Sequence, residues 1–532
     1  MTDPDFSRRA DANQALLRTN LKPQYDFVVC GAGSSGCVVA RRLAENESVD
    51  VLLIEAGGSD DVASVNEPGL WPTNLGSERD WGFQAEPNPH LNGRSIGMSM
   101  GKALGGGSSI NVMVWAQGHR QDWDFFASEA GDYAWDYDAV LDIYRRIEDW
   151  QGSADPVYRG RGGPVWVQPP PDPSPVAHAM IEAAGSLGIP AFESPNGAMM
   201  QGEGGCAFPD VLIRDGRRQS IFRAYTYPFL DRPNLTVLTD ALVSRVTIDG
   251  RRATGVEVLL DGAKRAVGAR SEVILSLGAI NTPKVLMHSG IGDEAELRRL
   301  SIPVVTHLPG VGQNLQDHVY FGCTWEYAAP IAPRNTGNEA TLFWKSSPEL
   351  SAPDLLLCQA EFPVPSPETV ARGVPTDGWT MFAGLSRPKS RGRVRLRTAD
   401  PRDPVAIEAN TLAHPDDIEA AARCVKLARE IGNARAFERL TRREAMPGDL
   451  GDTEMEHFIR DAALTYWHQS CTAKMGRDRV SVVDATLKVY GIDHLRVADA
   501  SIFPRVTSGN TMAPCVVVGE RASQLLRQEH RI

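Results

Sequence analysis

Two short apolar runs near the beginning of the chain predict buried strands on either side of a helix. The first run is YDFVVC at 25–30, and the second lies within VDVLLIEAGG at 49–58. Between them, GAGSSG at 31–36 leads into CVVARRLAEN, in which apolar residues recur at helical spacing. The order strand, glycine turn, helix, strand is typical of a dinucleotide-binding unit built on a parallel sheet.

The glycines of the turn have separate uses in such a unit. Gly31 permits the tight turn, Gly33 lets the backbone approach a pyrophosphate, and Gly36 lets the helix pack closely on the strand. The free N–H groups at the helix N-terminus then face the phosphates. Glu55 ends the second strand, 19 residues after Gly36, where an acid can accept from a ribose 2′-hydroxyl. These residues predict a dinucleotide site and leave NAD and FAD as alternatives.

Later patterns predict the rest of a two-sheet architecture. SEVILSLGAINTPKVLMHSGIG at 271–292 predicts another strand of the first sheet, followed by a helix begun by Thr282 and Pro283. RVRLR at 393–397 alternates in polarity, which predicts an antiparallel strand of a second sheet with one solvated face. DDIEAAARCVKLAREIG at 416–432 predicts an amphipathic helix that covers this second sheet.

Charge and composition narrow the function classes. The 532 residues carry a formal net charge of -12, and no long run of Lys or Arg appears, which argues against nucleic acid as a partner. No segment approaches the ~18 consecutive apolar residues that a membrane span needs. The first residues lack the apolar region of a secretory signal. We therefore expect a cytoplasmic protein, with residues 1–23 as a loosely held N-terminal extension.

A second glycine-rich stretch, GKALGGGSSINVMVWAQGHRQDWD at 101–124, is unlike an ordinary linker. Its glycines would let the backbone approach a flat ligand, and Ser108, Ser109 and Asn111 supply polar groups there. The eight cysteines form no CxxC pair, so neither a disulfide framework nor a metal site is predicted.

These stretches carry a resemblance to a known family, the glucose–methanol–choline (GMC) oxidoreductases, which bind FAD and oxidise alcohols. Residues 101–124 fit the first family signature, and Gly278 to Gly292 fit the second. Four further segments follow in the family's order: PGVGQNLQDH at 309–318, SRGRVRLR at 390–397, LTYWHQSCTAKMG at 464–476 and LRVADASIFPRVTSGNTMAPCVVVGERAS at 495–523. The resemblance covers nearly the whole chain and includes choline dehydrogenase-like and alcohol oxidase-like members.

The resemblance implies an α/β fold, α+β overall. A Rossmann-like FAD-binding domain is accompanied by a discontinuous substrate-binding domain built on an antiparallel sheet. We expect the FAD-binding domain at 24–165, 205–325 and 485–532, and the substrate-binding domain at 166–204 and 326–484. The oligomeric state is left open.

FAD is the implied cofactor, and it is expected to be held non-covalently, because Ile110 stands where choline oxidases carry a histidine joined to the flavin. The resemblance assigns the cofactor site, from the pyrophosphate and ribose to the flavin, to Gly31, Gly33, Ser34, Ser35, Glu55, Ala56, Trp81, Gly101, Leu104, Gly106, Ser108, Asn111, Val112, Met113, Val114, Val243, Asp499, Ala500, Asn510, Thr511 and Met512.

Oxidation of an alcohol needs a base for the hydroxyl proton and an acceptor for the hydride. His468 matches the family's base position, and a neutral imidazole can take a proton at cellular pH. Asn510 matches the second catalytic position, and its amide could donate to the forming alkoxide. Asn510 or Thr511 would cap a helix with Pro514 in its first turn, aimed at the flavin.

Purely structural roles are alternatives for several of these residues. His468 could be a packed core histidine, and His318 is expected to be structural. Cys471, three residues after His468, is a weaker candidate as a thiol nucleophile. Trp115 could line the pocket or only pack.

The substrate is predicted to be an uncharged or aromatic primary alcohol. Tyr320 stands where choline-specific relatives place a glutamate, and with Phe321, Tyr466 and Trp467 it would form a flat apolar pocket. The electron acceptor is O2 or another carrier. Two other classes are kept: a hydroxynitrile-lyase-like enzyme on the same fold, and an NAD-dependent dehydrogenase with a coincidental resemblance.

Overall fold

The computed structural model describes residues 4–532 and contains two large sheets. The first sheet has parallel strands at its centre and an antiparallel hairpin at one edge. Its strands, in spatial order, are Leu235–Leu238, Val51–Ile54, Gln24–Cys30, Ala263–Leu275, Arg252–Leu260 and Leu242–Asp249, and Leu495–Val497 pairs with Ala263–Leu275. The predicted strands at 25–30, 49–58 and 271–276 are therefore confirmed as members of one sheet.

The helix Ser34–Ala44 follows the first strand directly, as the glycine turn predicts. A Cβ at Gly36 would lie 1.9 Å from the carbonyl oxygen of Gly31, so only glycine allows the helix to approach its strand this closely. On its outer side, Ser34–Ala44 packs against the C-terminal helix Met512–His530. Both helices thus begin at the same end of the sheet, beside Ser35, whose hydroxyl donates to the Cys515 carbonyl.

The second sheet is antiparallel throughout. Its order is Thr441–Met446, Val319–Tyr327, Gly378–Leu385, Leu355–Ala360, Thr341–Trp344 and Gly205–Ala207, and Ala463–Thr465 pairs with Val319–Tyr327. The helix Pro415–Gly432 covers this sheet, which confirms the prediction for 416–432. Alternate strand residues face this helix or the opposite side, toward the first sheet.

Three segments lie elsewhere than the sequence placed them. Gly205–Ala207 and residues 319–325 were expected in the FAD-binding domain, but they lie in strands of the second sheet, the latter in Val319–Tyr327. Arg393–Arg395 is antiparallel as predicted, but it pairs only with Ala406–Glu408. Val394 of this strand and the following Leu396 pack into the core of the first sheet, so the prediction that this strand belongs to the second sheet is wrong.

The helix predicted to begin at Thr282 and Pro283 begins earlier, and spans Gly278–His288. Pro283 lies inside it and cannot donate to the carbonyl of Ala279 four residues back. The hydroxyl of Thr472 donates to that carbonyl instead, at 2.5 Å. The tertiary structure therefore satisfies the acceptor that a sequence argument leaves open.

The N-terminal extension is also more ordered than expected, although residues 1–3 lie outside the described part of the chain. Pro4–Thr19 is a helix on the edge strand Leu235–Leu238. The buried Gln14 amide donates to the carbonyls of Leu230 and Leu235 and accepts from the N–H of Val237. The prediction of a loosely held segment is therefore wrong for residues 4–19.

The remaining elements surround the two sheets. The other α-helices are Ala63–Asn66, Arg120–Ala130, Tyr137–Ile147, Pro175–Ser186, Ala198–Gln201, Glu294–Arg299 and Asp452–Ala462. Short ribbons pair Phe83–Gln84 with Gly97–Met98, Glu148–Trp150 with Val165–Val167, Ile213–Arg214 with Arg217–Arg218, and Ile291–Gly292 with Thr306–His307. Within residues 4–532, no helix has both the length and the apolar character that crossing a bilayer requires.

Candidate active site

A deep cavity runs from the glycine turn of the first sheet to the inner face of the second sheet. It has about 1730 Å³ of empty space, counting the part open to solvent. Most predicted site residues line it: Gly31, Gly33, Ser34, Ser35, Glu55, Ala56, Trp81, Gly101, Gly106, Ser108, Asn111, Val112, Val114, Tyr466, Trp467, His468, Asp499, Ala500, Asn510, Thr511 and Met512.

The end of the cavity at the glycine turn fits a dinucleotide. Gly33 has no protein atom closer than 3.9 Å to its Cβ position, so its backbone is open toward the cavity. No side chain caps the N-terminus of Ser34–Ala44, which leaves N–H groups for phosphate oxygens. Glu55 accepts from the N–H groups of Ala32 and Gly57, and burial raises its pKa to about 7. Its carboxyl therefore also holds the turn in place.

Three predicted cofactor residues do not line this cavity. Leu104 and Met113 are buried in the wall of the first core. Val243 lines a small neighbouring cavity, which shares Ala56 and Trp81 with the main one. Val243 is therefore placed at the side of the dinucleotide end, and Leu104 and Met113 can only support the site from behind.

His468 and Asn510 meet in the middle of the cavity. Asn510 Nδ2 lies 3.2 Å from His468 Nε2, and His318 Nδ1 lies 2.8 Å from His468 Nδ1. An amide nitrogen can only donate, so Nε2 of His468 holds a lone pair and its proton lies on Nδ1, which donates to His318. This tautomer leaves the basic nitrogen on the cavity side.

Both imidazoles are held in their neutral form. Burial, followed by the neighbouring His318, lowers the pKa of His468 well below its usual value. Burial also lowers the pKa of His318 to about 4. His318 is thus a direct, buried neighbour of His468.

The loop that carries His468 is fastened by the side chain of Asp317. Asp317 accepts from the His468 N–H at 2.8 Å, from the Thr465 hydroxyl and from the Gln469 amide at 3.3 Å. Trp467, between these residues, has a φ of 60°. Burial raises the pKa of Asp317 to about 7. Asp317 therefore determines where the imidazole stands.

Cys471 is not part of this arrangement. Its sulfur lies 3.3 Å from the Ser470 hydroxyl, and burial raises its pKa to about 12. No hydrogen bond joins it to His468 among the described contacts. A thiol kept protonated in this way is a poor nucleophile.

The end of the cavity at the second sheet is aromatic, but two of the four residues predicted to form the substrate pocket do not reach it. Tyr466 and Trp467 line the cavity. Tyr320 is buried behind the wall, stacked on Phe382 with ring centroids 4.2 Å apart. Phe321, its neighbour on the same strand, faces the helix-covered side of the second sheet. Successive strand residues point to opposite faces, so Tyr320 and Phe321 cannot both face one pocket.

Several cavity residues have no local sequence signal. Trp71 lies in a 3₁₀ helix, and its ring packs against Trp467. The remaining additions on the second sheet and its loops are Asn338, Thr341, Leu356, Cys358 and Phe382. Leu356 and Cys358 are two residues apart on one strand, so a period of two could have indicated them once the inner face was known.

The fold and site together define a dinucleotide-dependent enzyme with a buried histidine–amide pair at the centre of its cavity. The sequence profiles of the two GMC oxidoreductase domains match residues 25–320 and 388–519. The mitochondrial choline dehydrogenase of Mus musculus is 38% identical over 544 residues, covering 95% of this chain and 90% of that protein. This chain therefore belongs to the GMC oxidoreductase family.

Solved structures agree with this assignment. Pyridoxine 4-oxidase from Mesorbium loti superposes with a TM-score of 0.90 at 31% identity, covering 96% of this chain and 99% of that one. An FAD-dependent oxidoreductase from Chaetomium thermophilum gives a TM-score of 0.86 at 26% identity, covering 96% and 100%. The chain is thus an FAD-dependent oxidoreductase acting on CH–OH groups, and the predicted fold class and cofactor are confirmed.

Proposed function

We propose that this enzyme oxidises a primary alcohol to the aldehyde, with His468 as the general base. The observation that carries the proposal is the pairing of a lone pair on His468 Nε2 with the amide of Asn510 at 3.2 Å inside the cavity. A site of this kind offers one acceptor and one donor to a single hydroxyl group. The non-covalent binding of FAD and the assigned cofactor residues are part of the same proposal.

An alcohol hydroxyl that enters between the two groups replaces their mutual hydrogen bond. It gives its proton to His468 Nε2, and its oxygen accepts from Asn510 Nδ2. FAD supplies, when bound, a hydride acceptor at flavin N5. The lowered pKa of His468 keeps its Nε2 unprotonated at neutral pH, and the negative oxygen beside it offsets the cost of the imidazolium.

The substrate is proposed to be uncharged, and aromatic or otherwise flat. Glu55 and Asp499 supply the only carboxylates among the described residues that line the cavity, and both are bound to backbone N–H groups at the end of the first sheet. The substrate side instead offers Trp71, Tyr466 and Trp467. Aromatic faces can also attract a quaternary ammonium group. A comparison of charged and uncharged alcohols therefore tests this part of the proposal.

An anaerobic screen of alcohols against the holoenzyme tests the proposal. A benzylic alcohol should bleach the flavin absorbance faster than choline does. Faster bleaching by choline would overturn the uncharged-substrate proposal, and no bleaching by any alcohol would overturn the proposed oxidation of a primary alcohol. The electron acceptor is O2 or another carrier, and readmitting air separates the two.

The cytoplasm is kept as the proposed compartment, although the mouse relative is named as mitochondrial.

Replacement of His468 tests its role as base. The His468→Ala enzyme should reduce its flavin ~10²-fold more slowly or worse, while FAD stays bound, because only the proton acceptor is lost. Stopped-flow flavin reduction and the FAD-to-protein ratio measure the two effects. His457→Ala, at an exposed histidine, is the control. An unchanged rate of flavin reduction in His468→Ala would mean that His468 is a packed core residue and not the base.

A further inference from the structure

Arg218 is a buried cation that lacks a counter-charge. It is 4% exposed, and its guanidinium donates to the carbonyls of Val65 and Ser108 and to the side-chain oxygen of Asn111. Its Nη2 has no hydrogen-bond partner in the described part of the chain. Burial alone lowers its pKa to about 9, with no charged neighbour contributing. The group is still a cation at neutral pH.

A buried, unpaired charge is costly, and proteins normally pair it with an opposite charge. Other buried arginines of the described chain follow that rule. Arg159 is bound to Glu148 and Asp210, and Arg496 to Glu272. Arg218 differs from them in having only neutral acceptors. This difference suggests that its counter-charge belongs to a ligand.

The position of Arg218 indicates which part of the ligand carries this counter-charge. Two of its acceptors, Ser108 and Asn111, line the cavity. The short helix Gly106–Ser109 lies directly on the glycine turn, since a Cβ at Gly106 would be 2.7 Å from the Cα of Gly33. Arg218 therefore stands behind the wall that faces the turn where the pyrophosphate is expected.

We propose that Arg218 is the counter-cation of the FAD pyrophosphate, acting from behind the wall formed by Ser108 and Asn111. The pyrophosphate is a permanent dianion, and the low dielectric of the protein interior lets a charge act on it without direct contact. Arg218 also determines the orientation of Asn111. Because Asn111 Oδ1 accepts from Arg218 and from the Met113 N–H, its amide nitrogen is turned to Met512 and the cavity.

Ligand binding to the apoprotein, prepared from the holoenzyme, tests this role apart from catalysis. Dissociation constants of FAD and of ADP are measured for the wild type, Arg218→Gln and Arg218→Lys. ADP carries the pyrophosphate without the flavin ring. Arg217→Gln is the matched control, because Arg217 is exposed on the same ribbon.

Arg218→Gln should weaken both ligands by a similar factor, on the order of 30-fold or more, as expected for loss of one partner of a buried charge pair. Arg218→Lys, which keeps the charge, should retain most of the affinity, and Arg217→Gln should change nothing. Equal losses in the Lys and Gln variants would overturn the proposal in favour of a hydrogen-bonding scaffold. Weakened FAD with unchanged ADP would also overturn it. If Arg218→Gln does not fold, the Lys variant alone decides, since weak ADP binding by a folded Arg218→Lys protein contradicts a charge role.

Discussion

At the scale of single residues, the chemistry depends on which nitrogen of His468 carries the proton. The Asn510 amide and the His318 imidazole fix that choice from opposite sides of the ring, and Asp317 fixes the backbone. Local sequence could nominate His468 only through the family motif. His318 and His468 are 150 positions apart in the chain, so their contact could not be read from spacing.

The pH dependence of kcat/KM should reflect this environment. The base must be neutral, and burial lowers the pKa of His468, so activity should persist below pH 6.5 and fall only at more acidic pH. The pH profile should also be measured for Asp317→Asn, because burial raises the pKa of Asp317 to about 7. An acid limb at or above 6.5 that persists in this variant would contradict the lowered pKa of His468.

Loss of the Asp317 carboxylate should misplace the base without removing it. Asp317→Ala frees three donors of the 465–469 loop, and flavin reduction should slow ~10²-fold, since a 1 Å displacement of a reacting group can cost that much. The FAD content should stay unchanged. Thr465→Ser, which keeps a hydroxyl for Asp317, serves as the control. Reduction of the Asp317→Ala enzyme at the wild-type rate would exclude the positioning role.

At the scale of elements, periodicity predicted the strands around the glycine turn and the helix at 416–432, because these segments are apolar on the faces that the fold buries. Periodicity gave wrong predictions where a residue distant in sequence determines the extent or the position of an element. Pro283 is tolerated inside a helix because the Thr472 hydroxyl donates to the carbonyl that proline cannot reach as a donor. Arg393–Arg395 packs into the first core and is not part of the second sheet. Pro4–Thr19 is held by backbone groups of an edge strand more than 200 positions away.

The N-terminal helix should contribute measurably to stability through Gln14. Gln14→Ala leaves the Leu235 carbonyl and the Val237 N–H without this partner, while Asn13 still donates to the Leu230 carbonyl, so the free energy of unfolding should fall by ~1–3 kcal/mol. Asn20→Ala, whose side chain is exposed and bonds only to Leu16, should have little effect. Denaturant midpoints of the two holoenzymes provide the comparison. Equal midpoints would restore the expectation of a loosely held extension.

At the scale of the whole molecule, the site exists only between the two sheets. The first sheet supplies the glycine turn and Asp499, the second supplies Phe382 and Cys358, and the 465–469 loop joins them. FAD should therefore stabilise the protein as a unit. Apoprotein should unfold at a lower temperature than holoenzyme, and the Tm should rise with FAD concentration. At 100 times Kd, bound FAD should raise the free energy of unfolding by about 2.7 kcal/mol.

Thermal unfolding at several FAD concentrations checks this prediction. ATP, which lacks the flavin ring, is the control ligand and should raise the Tm less. A Tm independent of FAD would mean that the cavity is not the cofactor site.

The sequence alone determined the dinucleotide turn, the family and the cofactor, and it supplied His468 as the proposed base. These depend on short runs in which spacing and residue type act locally, such as GAGSSG and the signature at 101–124. Only the tertiary structure decided the tautomer of His468, the exclusion of Tyr320 and Phe321 from the pocket, and the isolation of Arg218. Each of these depends on contacts between segments far apart in the chain, and on which face of a strand is buried, and neither is encoded in local spacing.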